Sequence, residues 1–245
     1  MAKLAIVTGG ARRIGRAIAT ALHAAGYDIA LHYRSSSTDA DALALELNAL
    51  RAGSCSLFQA DIGTASGAAA LALHLNAQHS AIDLLVNNAS GFEPTPIDAC
   101  TEEDFDGMLG SNLKGPYFLI QGLLPALRAG GGCIVNILDV HVDRPLPDFN
   151  AYGAAKAGLA SLTRSLAVEL GPDVRVNGVS PGAILWPDDD VAYDAATRER
   201  TIAATPLRRL GDPSDIARTV VFLADEAPFV TGQVIAVDGG RGLAS

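Results

Sequence analysis

The sequence predicts an α/β protein with one doubly wound, parallel sheet of about seven strands and helices on both faces. Short apolar runs of strand length alternate with longer stretches, rich in Ala and Leu, that have the length of helices. The apolar runs are continuous rather than alternating with polar residues, which is typical of strands buried on both faces. Right-handed crossovers between parallel strands then distribute the helices over the two faces.

Seven short runs are predicted as strands because they are apolar and bounded by residues that favour turns. The first run, 4–7, leads directly into a cluster of glycines, and the fourth, 84–86, ends at two asparagines. In chain order the predicted strands are 4–7, 28–33, 54–59, 84–86, 134–138, 174–179 and 234–237.

The stretches between these runs carry apolar residues at helical spacing, so they are predicted as helices. The first of them stops at Gly26, because glycine often follows the last residue of a helix. The predicted helices are 14–25, 39–50, and stretches near 65–78, 102–129, 151–170 and 213–224.

The chain of 245 residues is predicted to form a single domain, 1–245, without linkers or repeats. With 49% hydrophobic residues it can fill one core of that size. The longest irregular stretch is 183–212, which contains Trp186 and an acidic run at 188–190. Long loops in compact domains are often lids, so we predict a substrate-binding loop there. A solvated surface excursion is the alternative.

Charge and cysteine content restrict the possible functions. A net charge of −9 and a pI near 4.9 argue against a broad nucleic-acid interface, which requires basic surface. Cys55, Cys100 and Cys133 are odd in number and widely spaced, so no disulfide framework or zinc site is indicated. We therefore expect reduced, buried thiols and a cytoplasmic protein.

Membrane and metal sites are not expected either. The first residues form a strand rather than the pattern of a secretory signal, and no apolar stretch approaches the roughly 20 residues that span a bilayer. His74 and His79 are five residues apart, which does not match the i, i+4 spacing of paired ligands on one helix face.

Residues 8–15, Thr-Gly-Gly-Ala-Arg-Arg-Ile-Gly, join the first predicted strand to the first predicted helix. Glycines allow a pyrophosphate to approach the backbone closely, and the helix N-terminus offers N–H groups and a positive dipole end. Glycines also occur in ordinary turns. Their position at this strand-to-helix junction nevertheless predicts a dinucleotide site.

The end of the second strand indicates which dinucleotide is bound. Folds that prefer NAD carry an acidic residue there, which binds the ribose 2′-hydroxyl. Residues 32–36 read His-Tyr-Arg-Ser-Ser and contain no carboxylate. Arg34 and Ser35 can instead bind a 2′-phosphate, with Arg13 nearby, so we predict NADPH. The alternative is that Arg34 is an ordinary surface charge.

Tyr152 and Lys156 are four residues apart in an Ala-rich helical segment, so their side chains share one face of the helix. A nearby ammonium lowers the pKa of a phenol, which makes tyrosine a usable proton donor near neutral pH. This spacing alone is weak evidence, because it occurs more often on solvated helix faces.

Three further segments strengthen the case. Asn-Asn-Ala-Ser at 87–90 follows the fourth strand, Asn112 lies in the long helical stretch, and 175–177 leads to Pro181-Gly182. Together with the glycine cluster and Tyr152/Lys156, they resemble the short-chain dehydrogenase/reductase family in order and spacing across nearly the whole chain. The resemblance implies a Rossmann-type fold and an oxidoreductase.

The resemblance also implies roles for individual residues. Tyr152 would donate the proton, Lys156 would hold the nicotinamide ribose and tune Tyr152, and Asn112 would support a water relay. Carried over by position, the predicted cofactor-binding residues are Gly9, Arg13, Ile14, Gly15, Tyr33, Arg34, Ser35, Asp61, Ile62, Asn88, Ala89, Ser90, Tyr152, Lys156, Pro181, Gly182 and Ile184. The family commonly forms tetramers through the long helices and the C-terminal strand, so a homotetramer is expected. A buried monomer face would have the same apolar composition.

The chain departs from the family pattern at three positions. Asp139 stands thirteen residues before Tyr152, where most members carry a serine that binds the substrate carbonyl. A carboxylate would repel the oxyanion of a ketone reduction, but it suits a substrate whose ring nitrogen is protonated. Arg13 replaces the usual middle glycine. Phe92 could stack on a planar heterocycle, or simply fill the core.

These departures resemble one subgroup of the family, the pteridine reductases, in which a pterin lies between the nicotinamide and a phenylalanine. The resemblance implies that residues 183–186 form a pocket wall and that Asp139 and Tyr152 manage protons. The predicted catalytic residues are Asp139, Tyr152, Lys156 and Asn112, and the predicted substrate-binding residues are Arg13, Ser90, Phe92, Asp139, Tyr152 and Trp186.

The leading hypothesis is therefore hydride transfer from NADPH to a C=N bond of a pterin, a dihydropterin or dihydrofolate. A reductase of ketones, such as a 3-oxoacyl thioester or a sugar, is the alternative enzyme. A protein that senses nucleotides or acts as a scaffold is the non-enzymatic alternative, because a fold alone does not prove activity.

Overall fold

The computed structural model describes residues 2–186 and 194–243, and within them one parallel sheet has the strand order β3-β2-β1-β4-β5-β6-β7. The order reverses direction between β1 and β4, as in doubly wound dinucleotide-binding folds. The predicted α/β fold class is confirmed. The strands are β1 (Leu4–Val7), β2 (Asp28–Tyr33), β3 (Cys55–Gln59), β4 (Leu84–Asn87), β5 (Cys133–Ile137), β6 (Arg175–Pro181) and β7 (Val234–Val237).

The helices connect successive strands and cover both faces of the sheet. Their bounds agree with the predicted stretches within a few residues, except in two regions discussed below. The α-helices are α1 (Arg13–Ala24), α2 (Ser37–Leu50), α3 (Ala65–Gln78), α4 (Glu102–Leu109), α5 (Gly115–Gly130), α6 (Asn150–Leu170), α7 (Ala195–Ala203) and α8 (Pro213–Val221).

The core has two parts, one on each face of the sheet. Ala5 and Val7 of β1 pack toward α1, α2 and α8, whereas Leu4 and Ile6 pack toward α3, α5 and α6. All four side chains are buried. Because both faces of the strand are covered, its sequence is a continuous apolar run, which is why the strands could be recognised.

The stretch predicted as one helix near 102–129 has a change of winding in its middle. Thr101 caps α4 with a capping box, and the segment Gly110–Lys114 is a π-helix before α5 begins. Single π-helical turns inside longer helices are frequent at functional sites. Here the turn contains Asn112, a predicted site residue.

The prediction that 183–212 is irregular throughout is wrong, because it contains α7. Asp194 accepts a hydrogen bond from Thr197 N and caps this helix. None of its residues is buried, so it carries no apolar periodicity by which it could be recognised. Residues 187–193, with the acidic run at 188–190, lie outside the described residues, and the predicted lid remains a prediction.

Two of the three cysteines are buried free thiols, as predicted. Burial raises the pKa of both Cys55 and Cys133 to about 11, which keeps them protonated. Cys100 is also free but only half-buried, because it lies in the loop before α4 rather than in a strand. In the part of the chain that is described, no helix is long and apolar enough to cross a membrane, and no cluster of His, Cys, Asp or Glu could hold a metal ion.

Candidate active site

A cleft of about 520 Å³ opens at the carboxyl ends of the strands, where the strand order reverses between β1 and β4. Ligands bind at this position in open α/β sheets, and the volume is in the range of small-molecule sites. The glycine turn after β1, the ends of β2 and β4, residues after β5 and β6, and the first turn of α6 contribute to its walls.

The glycine turn brings the N-terminus of α1 against the cleft. A Cβ at Gly15 would lie 2.2 Å from Gly9 O, so no larger residue fits there. Arg12 at the N-cap makes no side-chain capping bond, whereas α3, α4, α7 and α8 are each capped by a Thr or Asp side chain. The first N–H groups of α1 are therefore available to an anionic ligand, which fits the phosphates of a dinucleotide.

Thr8 joins the two strands that flank the cleft. Its hydroxyl donates to Val86 O at 3.2 Å and accepts from Asn88 N at 2.9 Å and from Ala89 N at 3.0 Å. Asn88 forms a second hydrogen bond with Thr8, because its Nδ2 donates to Thr8 O at 2.9 Å. The ends of β1 and β4 are thus fixed to each other by one buried side chain.

His32 is a cleft residue that the sequence analysis did not single out. It is 2% exposed, its Nδ1 accepts from Gly9 N at 3.2 Å, and its Nε2 lies 3.1 Å from Ala60 O. A carbonyl can only accept, so Nε2 carries the proton and the ring is neutral. Burial lowers the pKa of His32, which favours this neutral form.

The predicted 2′-phosphate site lies along one end of the cleft. Tyr33, Arg34 and Ser35 all line it, and no carboxylate stands at the end of β2. Arg13 lines the cleft too, and both of its terminal nitrogens lie 3.2 Å from Trp186 O. Arg13 has φ +52°, a left-handed conformation that glycine adopts most easily. This explains why a glycine is usual at its position.

Asp139 and Tyr152 meet in the cleft. The Tyr152 hydroxyl donates to Asp139 Oδ2 at 2.7 Å, and His141 N donates to Asp139 Oδ1 at 2.9 Å. Tyr152 lies in the first turn of α6, and Asp139 follows β5, so the parallel topology brings them to the same edge of the sheet. The carboxylate therefore occupies the position directly beside the phenol.

Lys156 lies behind Tyr152, one helical turn along α6. Its Nζ is 5.6 Å from the centre of the Tyr152 ring and donates to Ile137 O at 2.9 Å. Burial lowers the pKa of Lys156 to about 8, while the charge of Asp139 acts in the opposite direction. The ammonium is thus close enough to stabilise a phenolate and can change its charge near neutral pH.

Asn112 is fully buried and does not line the cleft. Its Oδ1 accepts from Ser90 Oγ at 2.7 Å, and its Nδ2 donates to Gly91 O and Met108 O at 3.0 Å each. These contacts hold Ser90, which does line the cleft, against the π-helical turn. The predicted water relay through Asn112 remains a prediction.

Aromatic rings form the wall opposite the glycine turn. Phe92 stacks on Phe149 with ring centres 4.3 Å apart, and it lies nearly perpendicular to the Tyr152 ring with ring centres 4.9 Å apart. Phe92 is 36% exposed and lines the cleft, so it is not simple core filling. Phe149 was not predicted as a site residue, because nothing in the sequence before α6 signals its contact with Phe92.

Most predicted site residues border the same cleft, and three do not. Lys156 and Asn112 lie behind its wall, and Pro181 is buried at the end of β6. Those that line the cleft are Gly9, Arg13, Ile14, Gly15, Tyr33, Arg34, Ser35, Asp61, Ile62, Asn88, Ala89, Ser90, Phe92, Asp139, Tyr152, Gly182, Ile184 and Trp186. The structure adds His141 and Arg241, which the sequence analysis did not name as site residues.

The chain is similar to known proteins over nearly its whole length. Residues 9–241 match the family model described as enoyl-(acyl carrier protein) reductase. Pteridine reductase 1 of Leishmania tarentolae is 36% identical, over 99% of this chain and 97% of its own length. The 3-oxoacyl-[acyl-carrier-protein] reductase FabG of Staphylococcus aureus is 37% identical, over 98% of both chains. Both are short-chain dehydrogenases/reductases, and this chain belongs to the same family of oxidoreductases.

Proposed function

We propose that this chain is an NADPH-dependent pteridine reductase that reduces a C=N bond of a pterin, a dihydropterin or dihydrofolate. The observation that carries the proposal is the 2.7 Å hydrogen bond from the Tyr152 hydroxyl to Asp139 Oδ2. A carboxylate in this position favours a substrate that gains a proton on nitrogen. The similarity to pteridine reductase 1 supports the same assignment.

The residues divide the reaction between them. When bound, NADPH supplies a hydride to the carbon of the C=N bond. Tyr152 gives its hydroxyl proton to the ring nitrogen, so that the bond becomes CH–NH. The Lys156 ammonium stabilises the resulting phenolate. Asp139 is half-buried and passes a replacement proton from solvent to Tyr152.

The ring of the proposed substrate stacks on Phe92. Phe92 presents a partly exposed aromatic face to the cleft and is supported from behind by Phe149. Flat heterocycles stack favourably on such a face. A pterin held there would have its ring edge toward Tyr152, whose ring centre lies 4.9 Å from that of Phe92.

Preference for NADPH over NADH follows from the residues at the end of β2. Arg34 and Ser35 can hold a 2′-phosphate through charge and hydrogen bonds. No carboxylate is present there to bind a free 2′-hydroxyl. Initial rates with both cofactors test this preference, and a higher kcat/KM with NADH would contradict it.

The second candidate function is the reduction of a ketone, such as a 3-oxoacyl thioester. It is favoured by the 37% identity to FabG, which is as high as the identity to pteridine reductase 1. The negative charge of Asp139 argues against it, because the oxyanion of a reduced ketone would develop beside a carboxylate.

The test is turnover with a matched set of substrates. Purified protein and NADPH are mixed with dihydrobiopterin, dihydrofolate or an acetoacetyl thioester, and NADPH oxidation is followed. We expect saturable oxidation with the pterins and little with the thioester. The reverse result would establish the ketone reductase, and cofactor binding without any turnover would support the non-enzymatic alternative.

We also propose that the protein forms a homotetramer. Phe105 of α4, Tyr117 of α5 and Val168 of α6 are large apolar side chains exposed on the long helices. Phe229, in the loop before the edge strand β7, is also fully exposed. Exposed apolar side chains at separate places on the chain would suit a protein with two different interfaces.

A further inference from the structure

Arg241 is a cleft residue that the proposed reaction does not use. It follows β7 in a turn that Asp238 holds in shape, since Asp238 Oδ1 accepts from Gly240 N at 2.8 Å and Oδ2 from Gly242 N at 2.6 Å. The backbone O of Arg241 also accepts from Arg144. These hydrogen bonds fix the turn, and the half-buried Arg241 lines the cleft.

The surroundings of Arg241 place it at the substrate side of the cleft. Its Nη1 donates to Thr201 O at 3.1 Å, and Thr201 belongs to α7, within the stretch 183–212 that is predicted to bind substrate. Arg144, which contacts its backbone, is also hydrogen-bonded through its own O to the ring of His141, the neighbour of Asp139. A chain of hydrogen bonds through Arg144 and His141 thus links the turn of Arg241 to Asp139.

The Arg241 guanidinium has more N–H groups than the described protein acceptors use. Arginine carries five N–H groups, of which one is used by Thr201 O. Among the residues that the structure describes, no carboxylate forms an ion pair with Arg241, although several surface arginines, such as Arg16 and Arg128, have such partners. A fixed, unneutralised arginine in a cleft matches a ligand that brings its own carboxylate.

We propose that Arg241 binds a carboxylate on the side chain of the substrate, so that the preferred substrate is a pterin with an anionic tail rather than a neutral one. This inference rests on the proposed function, because the ring chemistry is assigned to Asp139 and Tyr152. Arg241 adds a second point of recognition, which selects among pterins without taking part in proton or hydride transfer.

The experiment compares two substrates in two variants. Dihydrofolate carries a glutamate tail, whereas dihydrobiopterin carries a short neutral one. For Arg241→Gln we expect KM for dihydrofolate to rise at least about tenfold, since a charge-assisted bond contributes more than 1.4 kcal/mol. KM for dihydrobiopterin should change less than about twofold, and kcat should hold for both.

Arg128→Gln is the matched control, because Arg128 pairs with Asp173 on the surface, outside the cleft. It should leave both KM values unchanged, and Arg241→Lys should recover part of the dihydrofolate affinity. An equal rise of KM for both substrates would show that Arg241 only supports the turn. An unchanged KM for dihydrofolate would also overturn the inference.

A binding measurement separates this inference from the proposed reaction. Trp186 is the single tryptophan of the chain and lines the cleft, so its fluorescence reports ligand binding. The complex with NADP is titrated with folate and with biopterin. If no pterin is turned over, the proposed function fails, but tighter folate binding that Arg241→Gln abolishes would still support the anion site. Equal binding of both ligands, or of neither, would overturn it.

Discussion

Under the proposed function, Asp139 selects the chemistry of the cleft, and each of its two carboxylate oxygens accepts a hydrogen bond. The Tyr152 hydroxyl and the His141 N–H hold its two oxygens, so the carboxylate has a fixed place beside the phenol. A hydroxyl at the same place could donate to a carbonyl oxygen, whereas an ionised carboxylate can only accept. Under the proposed function, this one side chain would favour a nitrogen substrate over a ketone.

Asp139→Ser should exchange these two activities. We expect pterin turnover to fall by roughly 100-fold or more, a typical value for the loss of an acid–base group, and reduction of an acetoacetyl thioester to increase. Asp143→Ser is the control, because Asp143 is exposed and does not line the cleft. Initial rates for both substrates measure this exchange of activities. Unchanged pterin turnover would show that Asp139 takes no part in the reaction.

At the level of single elements, the start of α5 is held against the loop after β3 by close contact. A Cβ at Gly115, where α5 begins, would lie 2.3 Å from Ile62 O, and Ile62 lines the cleft. A change in the helix would therefore be transmitted to the cleft.

Gly115→Ala should lower the free energy of unfolding by about 1–3 kcal/mol, because the added methyl group forces the backbone apart. It should also raise KM for NADPH through the displacement of Ile62. Gly107→Ala is the matched control in α4, where a Cβ meets nothing within 4 Å. That variant should gain up to about 1 kcal/mol from helix propensity. Urea unfolding of both proteins checks the sign, and equal effects would contradict the steric argument.

The junction of β2 with the glycine turn should respond to pH. His32 has a lowered pKa in the folded protein, so below about pH 6.5 the unfolded chain binds a proton that the folded chain excludes. Stability is therefore lost as the pH falls from 6.5 toward the folded pKa. Protonation would also place a proton on Nδ1 and break its bond with Gly9 N.

His32→Asn removes this titration but keeps an acceptor for Gly9 N. We expect the stability advantage of the wild type over the variant to shrink between pH 7 and pH 5, by at most 1.36 kcal/mol per pH unit. His23 and His79, whose pKa values are also lowered by burial, are present in both proteins and cancel in the comparison. Urea unfolding at both pH values measures the difference, and parallel pH curves would refute it.

The elements differ in how far the sequence could predict them. The strands were recognisable because burial on both faces leaves an unbroken apolar run, as in Leu4–Val7. Helix α7 was not, since none of its side chains is buried. The cleft contacts of His32, Phe149 and Arg241 depend on which segments the folded chain brings together. Motifs that lie close together in the sequence, such as Tyr152 and Lys156, therefore identified more of the site.

At the scale of the whole molecule, the exposed apolar side chains of α4–α6 and of the loop before β7 are the surfaces that the proposed tetramer would bury. Strand β7 differs from the central strands, because its side chains are only partly covered although they are apolar. An uncovered apolar edge is a hazard in a monomer, and another copy of the chain would cover it.

Light scattering should give a mass of about 101 kDa, four times 25.2 kDa. Val168→Glu places a charge on the exposed face of α6, where Val168 is 86% exposed, and should dissociate the tetramer into smaller species. Leu45→Glu on α2 is the control, since Leu45 is 75% exposed on a helix outside the proposed interface. A monomeric wild type, or equal effects of both variants, would contradict the assembly.

The bonds of Thr8 have a consequence for how the cleft receives its ligands. Because the Thr8 hydroxyl is hydrogen-bonded to Val86, Asn88 and Ala89, the protein's own contacts hold the floor between the two halves of the sheet in place. A dinucleotide laid on it loses little affinity to ordering the protein. Thr8→Val would keep the volume of the side chain and remove these hydrogen bonds. We therefore expect the entropy of dinucleotide binding to become less favourable.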